Sequence, residues 1–265
     1  MKFARRPLAL ALAGLALLAA AGVHAQTALD EVMKSKTIKI GVPTDYPPYG
    51  FVGIDLKPQG LDIAMAELIA SKMGVKLELV PVVSANRIPY VQTKQVHLVI
   101  STLGKNPERL KVIDFTHAYA PFFQAVYGPK TLAIKSFADL GGKTIAVAKG
   151  AMEEQELTKV GPATMDFKRY EDQAASTAAY VAGQTQLLAT SVSNAGLMAQ
   201  KNPQLGAEFK LLIKDSPNFI GVAKGEDALR LKVNEVILAA KKDGTLDKMS
   251  QRWLGRPAGD LPLSE

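Results

Sequence analysis

Thr37-Ile-Lys-Ile-Gly-Val42 alternates apolar and polar positions and is rich in β-branched side chains, the pattern of a strand with one buried face. Leu61 to Met73 then carries apolar residues at helical spacing, and Val75 to Pro81 alternates again, so the chain opens β-α-β. Outward from there, Ile88 to Lys94 reads as a short helix, Val96 to Ser101 as a buried strand, and Phe122 to Tyr127 as a strand running into Gly128-Pro129. After Pro129 the pattern starts afresh: strands at Lys143 to Ala148, Thr164 to Tyr170 and Gln186 to Thr190 alternate with helices at Met152 to Val160, Asp172 to Ala182 and Asn194 to Lys201. Phe219 to Ala223 is one more strand, Glu226 to Lys242 a long amphipathic helix closed by Asp243-Gly244, and a short helix ends at Trp253-Leu-Gly255. Strands alternating with helices predict an α/β fold, two mainly parallel sheets with helices on both faces. The segments near Tyr127 and Pro217 read as crossings between two lobes, which places the functional cleft between them at the carboxyl ends of the strands.

Composition agrees with that reading. The 265 residues are 48% hydrophobic and 22% charged, the balance of a globular protein and not of a disordered or fibrous one. There is no cysteine, which excludes disulfides, thiolate metal sites, iron–sulfur clusters and a cysteine nucleophile. Three histidines, at 24, 97 and 117, leave little for zinc. Lys2, Arg5 and Arg6 precede an apolar run from Leu8 to Val23, and Val23-His24-Ala25 offers small residues where a signal peptidase reads, so residues 1–25 are expected to be a cleavable export signal. Part of the +7 net charge belongs to that segment. Without a cysteine to acylate, the mature chain is expected to be untethered, soluble, monomeric and periplasmic. The remaining basic residues are scattered among acids without an aromatic-interleaved stripe, which argues against a nucleic-acid partner.

The order of segments carries six further landmarks. They are Asp45-Tyr-Pro-Pro-Tyr49, Gly60-Leu-Asp-Ile63, Val99 to Arg109 followed by Ile113-Asp-Phe115, Asp139-Leu-Gly-Gly-Lys143, Gly221 to Gly225, and Lys242-Asp-Gly-Thr-Leu246 with Trp253. In this order they resemble the periplasmic amino-acid-binding proteins of ABC importers, solute-binding family 3, with the type II two-lobed fold. The resemblance implies a first lobe built from 26–125 and 217–265, a second from 126–216, a polar amino acid or similar small carboxylate as ligand, a separate membrane permease as partner, and no cofactor.

It also implies site residues. Arg109 resembles the fixed guanidinium fork for the ligand's α-carboxylate, a task suited to planar bidentate pairing. Ser101 and Thr102 are expected to add donors to the same group. Tyr46 sits where the family places an aromatic against the ligand side chain, while Ser84 stands where a second aromatic is common. Asn86-Arg-Ile-Pro89 resembles the acidic-amino-acid branch, so Arg87 beside Arg109 would suit a ligand with two carboxylates. The second lobe departs from the pattern: Ala151-Met152 replaces the usual Thr-Thr, and Thr190-Ser191 stands where an aspartate holds the ligand's ammonium. That group would then fall to Glu153, Glu171, Asp172 or hydroxyls, although Asp172 also reads as a helix cap. The competing class is an enzyme on the same fold, resembling the cyclohexadienyl dehydratases, in which a cleft acid protonates a leaving hydroxyl.

Overall fold

The computed structural model describes residues 27–263, so the expected export signal at 1–25 lies outside the described residues. Helix α1 (Ala28–Ser35) opens under a capping box in which Thr27 and Asp30 satisfy each other's backbone amides. The first lobe continues with β1 (Thr37–Val42), the short strands β2 (Asp45–Tyr46), β3 (Gly50–Val52) and β4 (Pro58–Gln59), α2 (Leu61–Met73), β5 (Lys76–Pro81), α3 (Arg87–Gln92), β6 (Leu98–Leu103), α4 (Pro107–Leu110) and β7 (Ile113–Ala120). The second lobe holds β8 (Phe123–Pro129), β9 (Thr144–Ala148), α5 (Met152–Val160), β10 (Asp166–Tyr170), α6 (Gln173–Val181), β11 (Leu187–Ser191), α7 (Val192–Lys201) and β12 (Ala207–Asp215). The chain returns to the first lobe through β13 (Asn218–Ala223), α8 (Asp227–Lys242) and α9 (Thr245–Leu254).

The two sheets have the same plan, β5-β1-β6-β13-β7 and β10-β9-β11-β8-β12. Strand β1 runs parallel to β5 and β6, and β9 parallel to β10 and β11. In each sheet one strand runs against its neighbours, β13 against β6 and β7, and β8 against β11 and β12. These are the strands that arrive from the other lobe. A chain entering at the cleft edge must run away from the cleft, whereas β1, β6, β9 and β11 end there. The first crossing lies at Pro121-Phe122, because β8 pairs in the second sheet from Phe123 onward, a little before the boundary read at 125. The two crossings are joined where the Ser216 amide donates to the Phe122 carbonyl at 3.0 Å.

The predicted alternation of β1 buries Ile38, Ile40 and Val42 against Met65, Ala66 and Ile69 of α2, and β6 is buried at every position. Full burial of one such aliphatic side chain is worth about 1.5–3 kcal/mol. Core burial of this kind makes each lobe a firm platform for the loops at its strand ends. His97 is part of that platform: its Nδ1 accepts the Lys39 amide at 2.9 Å and ties β1 to the turn before β6. Among the described residues no helix is long and apolar enough to cross a membrane.

Candidate ligand cleft between the lobes

The first-lobe wall is made by loops that leave β1, β5 and β6. Arg109 stands on α4, a single helical turn set by Pro107 at its start and by Asn106, whose side-chain oxygen accepts the Arg109 amide at 2.8 Å. Its guanidinium is 4% exposed and donates to the Gly104 carbonyl at 2.9 Å and, across the cleft, to the Gly150 carbonyl at 3.4 Å. Its Nε has no partner. Arg87, at the start of α3, is equally buried, its Nε is also unpartnered, and it forms no ion pair among the described residues. Burial pulls both guanidiniums below their usual range, and the charge of Arg87 depresses Arg109 further. Asp45 and Glu153 oppose the shift at Arg87.

Ser101 is fully buried with its hydroxyl unpartnered, as is the hydroxyl of Ser84 in the loop before α3. Thr102 turns the strand end through a left-handed backbone at φ 43°, a conformation that favours residues other than threonine and marks a constrained site. Its amide donates to Asp62 at 2.9 Å, and the Tyr119 hydroxyl donates to the other Asp62 oxygen at 2.7 Å. Burial pushes the Asp62 carboxyl up to about 7 against the pull of these hydrogen bonds.

The second-lobe wall comes from the ends of β9 and β11. After β9, Gly150 adopts φ 77° and lies so close to the first lobe that a Cβ there would stand 2.9 Å from the Ala85 Cα. Glu153, in the first turn of α5, is 2% exposed and its Oε1 has no hydrogen-bond partner. Burial raises its carboxyl, opposed by a hydrogen bond from its own backbone amide and by the charges of Arg87 and Arg109.

Three expected ligand contacts have other partners in the structure. The Tyr46 ring is fully buried, its hydroxyl lies 3.1 Å from Thr190 Oγ1, and it accepts the Ser191 amide at 2.8 Å, so Tyr46 and Thr190 tie one lobe to the other. Asn194 extends the tie by donating to the Pro47 carbonyl at 2.9 Å. Ser191, in the position of the family's aspartate, caps α7 by accepting the Asn194 amide. Asp172 caps α6 by accepting the Ala175 amide at 2.7 Å, and Asp45 from the opposite lobe takes the Gln173 amide of the same helix end at 2.7 Å.

Residues that the sequence reading passed over add to the unpartnered polar groups buried near the crossings and the cleft-side helix ends. Gln124 at the start of β8 and Asn218 at the start of β13 are fully buried with both ends of their amides unpartnered, and Gln173 Oε1 is unpartnered as well. Of these only Gln124 has a sequence signal, as a lone polar residue in the apolar run Phe122-Phe-Gln-Ala-Val126. Outside the cleft a groove of about 640 Å³ leads to Arg109, walled by Asn106 and Ile88 on one side and Gly150, Gln155 and Arg169 on the other. Buried polar groups are normally satisfied, so a set of unpartnered hydroxyl, amide, guanidinium and carboxylate atoms facing from both lobes and both crossings is the signature of a binding site for a small polar molecule. Among the described residues no group of three His, Asp or Glu is placed to hold a metal ion.

The sequence matches the bacterial extracellular solute-binding proteins, family 3, over residues 38–256. The chain belongs to this family. The L-cystine-binding protein TcyJ of Escherichia coli strain K12 is 26% identical to this family 3 protein over 86% of each chain. Among solved structures, an ancestral arginine-binding protein bound to arginine is 32% identical with a TM-score of 0.78, covering 83% of this chain and 99% of that one. The ancestral amino acid-binding protein AncCDT-1, described as a precursor of cyclohexadienyl dehydratase, is 31% identical with a TM-score of 0.76 over 86% of this chain and 99% of its own. These neighbours have the two-lobed type II fold that the sheets described above form.

Proposed function

We propose that the protein is the exported, periplasmic receptor of an ABC importer, which closes its lobes on one polar amino acid and delivers it to a membrane permease. Glutamate and aspartate are the first candidates. The observation that carries this reading is the pair of buried guanidiniums, Arg87 and Arg109, each with an unpartnered Nε, set among unpartnered neutral donors and acceptors. Two fixed cations suit a ligand with two anionic or strongly polar ends, and amides from Gln124 and Asn218 suit its remaining oxygens or nitrogens. The named ligands of similar proteins, cystine and arginine, are also amino acids with a polar second end.

The test is a thermal-shift screen of the mature chain, unfolded, dialysed and refolded to strip any carried ligand, against the common amino acids, cystine and small dicarboxylates. A ligand that binds only the native state at 100 times its Kd adds about 2.7 kcal/mol, well above the response to non-binders. A shift with glutamate or aspartate supports the acidic assignment; shifts confined to neutral or basic amino acids retain the receptor and remove that assignment. A buried Glu153 with a raised carboxyl is the group that acid-catalysed elimination would need, so the same sample is assayed for turnover of cyclohexadienyl substrates. The receptor reading expects none.

A further inference from the structure

The family pattern puts an aspartate at the end of the second-lobe strand β11 to hold an amino acid's ammonium, and here that place is closed. Ser191 caps α7, the Ser191 amide is taken by Tyr46, and Thr190 is bonded to Tyr46 and Asn194. Glu171 is exposed, and the other acids near the cleft are engaged: Asp45 and Asp172 by the amides of α6, and Asp62 by Thr102 and Tyr119. Glu154 holds the Gly150 amide at 2.7 Å and pairs with Arg169. Among the described residues Glu153 alone combines near-complete burial with a carboxylate oxygen, Oε1, that meets no donor; its carboxylate takes a hydrogen bond from its own backbone amide and forms no ion pair with Arg87 or Arg109, although both guanidiniums act on it electrostatically. A buried carboxylate oxygen that meets no donor is costly even with cations nearby, and what Oε1 lacks here is a hydrogen-bond donor.

We infer that Glu153, from the start of α5, has taken over the ammonium contact that the strand-end aspartate makes elsewhere in the family, so that the cleft reads a zwitterion from opposite walls, with Arg109 on its carboxylate and Glu153 on its ammonium. Arg87 is then left for the side chain. The inference rests on the receptor reading above and adds the residue that distinguishes an amino acid from the corresponding simple acid.

The experiment compares amino acids with analogues that lack only the amino group: L-glutamate with glutarate, L-glutamine with glutaramate, and L-arginine with 5-guanidinopentanoate. Calorimetry is run on refolded wild type, Glu153→Gln and Glu153→Asp, each checked by its melting curve. Wild type is expected to prefer the amino acid of the bound pair by about 10- to 100-fold, the range for hydrogen bonds to a charged group. Glu153→Gln should lose that preference by weakening the amino acid while leaving its deaminated analogue unchanged or tighter, and Glu153→Asp should recover part of it. Equal binding of both members by wild type, or an equal loss of both in Glu153→Gln, overturns the assignment and leaves the receptor reading standing. If folded wild type binds none of the six, the receptor reading for these ligands fails first, and the assignment with it.

Discussion

Arg109 does two things with one side chain, since the guanidinium bonded to Gly104 and Gly150 keeps its Nε free toward the cleft. Arg109→Ala is expected to weaken amino-acid binding by at least about 100-fold, because two charge-assisted hydrogen bonds of about 1.5–3 kcal/mol each depend on it, while the apo fold melts nearly as before. Arg109→Lys should recover little, for an ammonium cannot span two acceptors in one plane. Near-normal affinity by calorimetry in folded Arg109→Ala excludes the carboxylate role. Asp62 offers a different readout. Its folded carboxyl is raised to about 7 from an ordinary value of 3.8, so between those limits the native state keeps a proton that the unfolded chain has released. Its contribution is fully present below the unfolded value and is lost as pH rises through about 7. The urea midpoint of the apo protein is therefore expected to fall across that window, and to fall less in Asp62→Asn; parallel pH profiles would show that Asp62 does not titrate there.

The loop between β9 and α5 is the element on which closure turns. Gly150 needs its left-handed backbone to send the chain from the strand into the helix, and it needs the absence of a Cβ to let Ala85 approach. A left-handed backbone costs an L-residue about 1–2 kcal/mol even without the contact. Gly150→Ala is thus expected to weaken the bound, closed form by 10-fold or more, seen as a faster ligand off-rate in stopped-flow fluorescence. An unchanged off-rate would mean that the lobes do not need to meet at this point. Elements also show where local pattern misleads. Strand β12 gave no alternation to read because it is an edge strand whose register with β8 shifts twice, leaving Phe209 and Leu212 exposed. Strand β7 is largely buried on both faces, yet Asp114, Thr116 and His117 break its apolar run so that neither alternation nor a continuous run can be read.

At the scale of the whole molecule, the lobes are joined by two short crossings and held together by side chains. Tyr46 to Thr190 and Ser191, Asn194 to Pro47, Asp45 to Gln173 and Asn106 to Gln155 all span the cleft. In the receptor reading proposed above, opening of the lobes breaks these bonds, so they would tune affinity through the closed population. Tyr46→Phe removes one hydroxyl and leaves the buried Ser191 amide without its acceptor, a loss of about 1–3 kcal/mol confined to the closed form. Its ligand affinity is expected to drop by about 5- to 100-fold with little change in apo melting temperature, and small-angle scattering should show less compaction at a ligand concentration that saturates wild type. Equal compaction and equal affinity would place Tyr46 outside the closing equilibrium.

Taken by itself, the sequence determined the long strands and helices that alternate in the two lobes and their order, though not β7 or β12, because strand alternation and helical spacing record which face of a segment is buried. Through the family resemblance of the motifs that hold them, it also pointed to Arg109 and Arg87. Only the tertiary structure decided what the second lobe contributes. Tyr46 reads as a ligand wall, and only the fold shows that its hydroxyl also meets partners 144 and 145 residues away, while Asp172 and Asp45 meet at one helix end across a separation of 128 residues between Asp45 and Gln173. Gln124 shows only as a lone polar residue in an apolar run, and Asn218 and the free oxygen of Glu153 have no local signature. Whether a polar atom is satisfied depends on what faces it, and in a two-lobed protein that is fixed by how the lobes dock.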